Sequence, residues 1–298
     1  MLGTSIWAVQ PEWLAWAERM IHGQSLPASL KVDSEARLLA MAPMGRRLEG
    51  TKHGVVRGSV AALPIMGPIS PRANFFTEIF GGVALDALSA DVRAIAAHKS
   101  TETLLLVVDS PGGEIVGVHE FADMLADFNK PVIAHVTGTG ASAAYWIAAQ
   151  ANELIVDATA CVGSIGVMVS ARVQEQPDAD GRRTLPITSR HAPMKRPDLT
   201  TEEGRADLQA CLDAVEAVFI DGVCRGRRVS RETVLQDFGQ GGNKAGHAAV
   251  AAKMADRADT LHGTLSRLVG LGQGASSLRR PQAMRVREVD IRRRRSAL

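Results

Sequence analysis

The residues most able to do chemistry fall in two short segments. The first is Asp109-Ser110-Pro111-Gly112-Gly113, directly behind a continuous apolar run. A strand that ends in Pro-Gly-Gly turns tightly and leaves backbone amides able to face a ligand. The second is Gly138-Thr139-Gly140-Ala141-Ser142-Ala143-Ala144-Tyr145-Trp146. It follows a strand pattern and opens a helix pattern. A hydroxyl there, ringed by Gly and Ala, is sterically open, and the Ala143 amide beside it is placed to bind a developing oxyanion. That is the logic of a nucleophile elbow. Local chemistry leaves the plainer readings standing too: a helix N-cap for Ser142 and an ordinary strand-to-helix turn for 109–113.

A serine nucleophile needs a base. His119 falls in a helical segment and His135 inside a strand, and the first histidine beyond Ser142 is His191. A lysine made neutral by its surroundings is the other choice. Lysine is scarce, with seven against 27 Arg, and only Lys130 and Lys195 occur between residues 100 and 240. Lys130 reads as a solvated turn residue ahead of Pro131. Lys195 lies in the irregular stretch Ser189-Arg190-His191-Ala192-Pro193-Met194-Lys195-Arg196-Pro197-Asp198, where a solvated loop cation is the simpler reading.

The surrounding periodicity supplies elements to hold these segments. Strands are expected at 60–66, 103–109, 131–137, 153–157 and 164–170, and helices at 82–99, 118–128 and 142–151. This alternation predicts an α/β fold with helices packed on a mostly parallel sheet. A long helix is expected over 200–226, opened by a Thr cap with Glu203 three residues after Thr200. Residues 11–22 carry Trp13, Trp16 and Met20 at helical spacing, which predicts an amphipathic N-terminal helix. Residues 23–57 read as a linker. The expected domains are an N-terminal helix and linker over 1–57, a catalytic domain over 58–265 and a disordered Arg-rich tail over 266–298.

Composition narrows the function class. The 298 residues are 46% apolar and 22% charged, ordinary for a globular chain. No apolar run reaches the ~18 residues of a spanning helix, so no membrane partner is expected and the chain reads as cytoplasmic. Three cysteines at unrelated spacings suggest neither a disulfide framework nor a metal site, and no cofactor is expected. The net charge of +2 hides an asymmetry: residues 279–298 hold eight Arg, one Glu and one Asp, a local +6, so the rest sums to −4. Nucleic acid is therefore expected only through the tail, which is alternatively a tether to protein partners, a self-cleavage segment or silent.

Three motifs together resemble a known family. Asp-Ser-Pro-Gly-Gly at 109–113, Ala-Ser-Ala-Ala-Tyr-Trp-Ile-Ala at 141–148 and Val-Gly-Ser-Ile-Gly-Val-Met at 162–168 are similar to the signal peptide peptidase A (SppA) serine proteases. The resemblance covers roughly residues 58–258. It implies the ClpP/crotonase-like fold and a Ser–Lys dyad with Ser142 as nucleophile and Lys195 as base. Gly112, Gly113 and Ala143 would form the oxyanion hole. Ser164 would hydrogen-bond the lysine, line the groove or only shape a turn. Ala143 and Ala144 replace the Gly pair usual after the family's nucleophile, and Lys195-Arg196-Pro197-Asp198 replaces its usual turn. The single catalytic unit and the 189–209 stretch resemble the phage branch, the prohead proteases. That branch implies scaffold, capsid or portal precursors as substrates and a homo-oligomeric ring, in which Ser and Lys come from one or two subunits. The alternatives are a catalytically degenerate ring-forming assembly protein, a host-type soluble peptidase acting on signal-peptide remnants, and a non-proteolytic acyl-CoA hydratase or isomerase of the same fold.

Overall fold

Alternation within the apolar runs builds the centre of the fold. In 103–110, Leu104, Leu106 and Val108 face one side of a sheet while Leu105 and Val107 face the other. Both sides are buried, which is why the run is apolar throughout. The computed structural model describes residues 7–9, 44–73, 81–170 and 188–271. The helix expected at 11–22 and the tail from residue 272 lie outside the described residues.

The described strands are β1 (Trp7–Val9), β2 (Arg46–Arg47), β3 (Val55–Arg57), β4 (Val60–Met66), β5 (Ile69–Ser70), β6 (Val83–Ala84), β7 (Thr103–Ser110), β8 (Gly112–Glu114), β9 (Val132–Ala141), β10 (Glu153–Val156), β11 (Cys161–Gly163), β12 (Asn243–Ala245) and β13 (Arg257–Ala258). The helices are α1 (Leu85–Ala97), α2 (Val118–Ala126), α3 (Ala143–Ala149), α4 (Glu202–Arg227), α5 (Arg231–Asp237), α6 (Gly246–Ala251) and α7 (Leu261–Leu271).

The larger sheet runs β12-β11-β9-β7-β4-β3-β2, with β10 on β9 and β13 on β10. Its centre, β4-β7-β9, is parallel. β3 pairs antiparallel with β4 and β2 antiparallel with β3, so the sheet extends into the segment read as linker. One face is covered by α1, α2, α3 and part of α4 through Leu88, Ile95, Phe121, Trp146 and Phe219. The other face packs Val60, Leu105, Val107, Ile133 and Ile155 under Leu265 and Leu268 of α7. A smaller sheet, β1-β8-β5-β6, sits beside it.

Two expectations are corrected. The strand expected at 164–170 is absent: the strand is β11, and it stops at Gly163 because Gly163, Ser164 and Gly166 all take positive φ, at 136°, 52° and 141°. Extended pairing does not survive such a run. The helix expected from 200 starts at Glu202, and its cap is Thr201, whose hydroxyl accepts the Gly204 N–H at 3.1 Å. The Thr200 hydroxyl instead donates to Asp198 at 2.7 Å.

Candidate active site

The nucleophile segment owes its shape to a loss of register. Val108 pairs with Val136, yet Ser110 pairs with Gly140. Two residues on β7 thus span four on β9, and β9 bulges over residues 137–139. The Asp109 carboxylate fills the bulge by accepting the Thr139 N–H at 2.9 Å. Beyond it β9 takes a new neighbour, β11, with Gly140 opposite Val162 and Ala141 opposite Gly163.

Ser142 follows directly, at the switch from β9 to α3. Its φ of 54° and ψ of −122° are unusual for a residue with a side chain. Strain of this kind costs about 1–3 kcal/mol and persists only where the surroundings impose it. Here the Ser142 N–H donates to Gly163 O at 2.7 Å and its carbonyl accepts the Trp146 N–H at 3.0 Å. Ser142 stands at the N-cap position of α3, but its side chain makes no capping hydrogen bond. Its Oγ is buried and has no hydrogen-bond partner among the described residues. A buried hydroxyl left unpaired runs against the usual satisfaction of polar groups.

The turn carrying the Gly pair lies alongside. Ser110, fully buried, pairs across to Gly140, and α3 packs on β8. The Gly112 N–H donates to Ser110 Oγ at 3.2 Å. Gly113 sits within β8, opposite Ala8 of β1 and Ile69 of β5. Ala143 is the first residue of α3, ahead of that helix's first internal hydrogen bond. Ser164 follows β11 as Ser142 follows β9; it is buried and its N–H donates to Gly242 O at 2.9 Å. Ser142 and Ser164 thus follow the paired strands β9 and β11, while Gly112 and Gly113 lie in β8, on which the helix opened by Ala143 packs.

The lysines fall elsewhere. Lys195 ends a 3-10 turn, Pro193–Lys195, and is exposed. Because Ser142 Oγ has no partner among the described residues, Lys195 Nζ is not bonded to it within this chain. Lys130 is not a solvated turn residue. Its half-buried ammonium donates to Ile95 O and His98 O at 2.8 Å each and to Thr101 Oγ1 at 2.9 Å, closing the C-terminal end of α1. It precedes β9 whereas Ser142 follows it, and ten residues at ~3.3 Å each put roughly 30 Å between them.

Sequence reasoning passed over three contributors. Ser110 and Asp109 lie inside the first motif, but only the Gly pair was given a role there. Gly222 of α4 had no local signal: a Cβ there would meet the Trp146 indole nitrogen at 2.2 Å, so α4 closes on the nucleophile helix only because the residue is glycine.

Comparison with known proteins agrees with this architecture. The model of the Clp protease family matches residues 79–156, and that of peptidase family S49 matches residues 125–272. The head-tail preconnector protein GP5 of Enterobacteria phage P21 is 30% identical over 206 residues, 66% of this chain and 41% of that protein. The capsid assembly protease C of Escherichia phage lambda is 27% identical over 209 residues, 67% of this chain and 46% of the relative. Protease 4 of Haemophilus influenzae is 26% identical over 194 residues, 61% of this chain and 30% of the relative. The chain thus spans less than half the length of these relatives. No helix among the described residues is long and apolar enough to cross a membrane. The fold is ClpP/crotonase-like, and over residues 125–272 the chain matches the SppA-type peptidases of family S49.

Proposed function

We propose that the protein is a serine endopeptidase acting through a Ser142–Lys195 dyad and an acyl-enzyme. The observation that carries this reading is the buried, unpartnered Ser142 hydroxyl on a strained strand-to-helix turn. Ser142 Oγ attacks the scissile carbonyl carbon, and Lys195 takes its proton. The carbonyl oxygen becomes an oxyanion beside the amides of Gly113 and Ala143, with Gly112 shaping the turn. Such donors are worth about 3 kcal/mol each. Collapse of the intermediate breaks the C–N bond, and Lys195 gives the proton to the leaving amine. Water then hydrolyses the ester, with Lys195 again holding the proton and returning it to Ser142. Ser164, next to the nucleophile on the adjoining strand end, would orient the lysine.

The exposed position of Lys195 favours a dyad completed between subunits of a homo-oligomer. The relatives named for capsid assembly and head-tail connection favour scaffold, capsid or portal precursors as substrates, cleaved in the host cytoplasm during head assembly.

The test is cleavage of a peptide library read by mass spectrometry, with wild type beside Ser142→Ala and Lys195→Ala and circular dichroism as the folding control. Cleavage by wild type alone is expected. Equal cleavage by Ser142→Ala overturns the reading. Silence from all three folded proteins, with assembly partners supplied, favours a catalytically degenerate assembly protein.

A further inference from the structure

We infer that β1 of the same chain, on the flank of β8 opposite β5, is a built-in substrate mimic that holds the edge on which substrate pairs. This rests on the Ser142 site proposed above. β8 consists of Gly112 and Gly113, both expected to serve the oxyanion, and Glu114. One flank is sealed by β5, with Ile69 opposite Gly113. The other carries β1, antiparallel, with Trp7 opposite Glu114, Ala8 opposite Gly113 and Val9 opposite Gly112. A peptide can join β8 only where β1 now lies.

The geometry of β1 is that of a peptide strand added to a sheet edge. It spans three residues, ends the order of its sheet and pairs with no strand but β8 among the described residues. So short a strand, held on one side, belongs to the low-stability end of a fold. A substrate backbone offers β8 the same donors and acceptors, so exchange conserves hydrogen bonds. The register also sets polarity. A substrate in place of β1 runs from Glu114 towards Gly112, so its C-terminal side approaches the turn beside Ser142. Val116, 64% exposed just past β8, gives apolar surface next to the N-terminal side of that strand.

The test uses the full chain carrying Ser142→Ala, so that the probe is not consumed. The probe is a fluorescein-labelled synthetic peptide copying residues 1–14, followed by anisotropy. Consecutive strand residues point their N–H groups to opposite sides, so Ala8→Pro with Val9→Pro removes whichever donor faces β8. Freeing the edge raises the competent fraction, and about tenfold tighter probe binding than by the parent is expected. Equal affinity, or binding by neither, overturns the inference.

A second variant covers a folding failure. Trp7→Cys with Glu114→Cys spans the first register pair; its oxidised form should exclude the probe and its reduced form admit it. Failure to crosslink, or probe binding by the crosslinked form, also overturns the inference. Turnover is read separately without the Ser142→Ala change. Probe binding without turnover keeps the edge and removes the dyad chemistry, and turnover without probe binding does the reverse.

Discussion

The Asp109 carboxylate holds the Thr139 N–H at 2.9 Å, across the point where β7 and β9 lose register. That bond fixes the bulge from which the last residues of β9 swing onto β11 and deliver Ser142 to its turn. Asp109 itself is exposed, so its contribution to overall stability is small. Asp109→Ala should therefore lower kcat by about ten- to a hundredfold while moving the urea midpoint little. Asp109→Asn, which keeps an acceptor for Thr139, should recover most of the loss. A large drop in stability with kcat intact would show that the bond serves the sheet and not the site.

Lys195 and Ser142 do not meet within one chain, and this gives a sharper test of the dyad than either single variant. If the site is completed between subunits, inactive Ser142→Ala and inactive Lys195→Ala proteins should restore activity when mixed and allowed to exchange. Random assortment pairs an intact Ser with an intact Lys at about a quarter of the sites. Hydrolysis of a fluorogenic peptide by the mixture checks this. No recovery, with exchange shown by native mass spectrometry, would place both residues in one subunit.

The legible part of the fold is the part whose cause is local. The runs 60–66 and 103–109 are apolar because both sheet faces are covered, and they lie in β4 and β7. The last turn of β9 was not legible. Gly138-Thr139-Gly140 has poor strand propensity and is extended only because β11 and Asp109 pair with it. Ser164 and its glycine neighbours failed in the opposite direction: Ile165, Val167 and Met168 suggest a strand, while the backbone of Gly163, Ser164 and Gly166 forbids it. At the site, motif order placed Ser142 at a strand-to-helix switch, but no local pattern marks a bulge or says which subunit a lysine will serve.

Trp146 and Gly222 make the nucleophile helix a clamped element. The indole stacks on Phe219 with ring centroids 4.8 Å apart and planes 10° from parallel. Gln150 Nε2 donates to both Trp146 O and Gly222 O at 3.0 Å. A Cβ on Gly222 would press into a ring that is held on its other side and cannot give way. Gly222→Ala should cost about 1–3 kcal/mol by overpacking, lowering the urea midpoint. Since Ser142 opens the same helix, kcat should fall as well, and an unchanged midpoint would mean that α4 shifts freely over α3.

His135 makes stability depend on pH. It is fully buried in β9, with Nδ1 3.0 Å from Thr264 Oγ1 of α7. Burial holds its pKa down to about 4, against the weaker upward pull of Asp259 and Asp157. The unfolded chain, with an ordinary imidazole near ~6.5, takes up a proton over a range where the folded chain does not. The unfolded state therefore binds more protons between those values, and stability rises with pH across the window. The contribution is complete above the unfolded value and is lost as pH falls towards about 4, a swing of about 3 kcal/mol. Urea unfolding at pH 7.5 and pH 4.5 should show the loss. His135→Gln should be less stable at pH 7.5, because the fit to Thr264 changes, yet should lose less on acidification. An identical loss in both proteins would assign the acid sensitivity to the carboxylates instead.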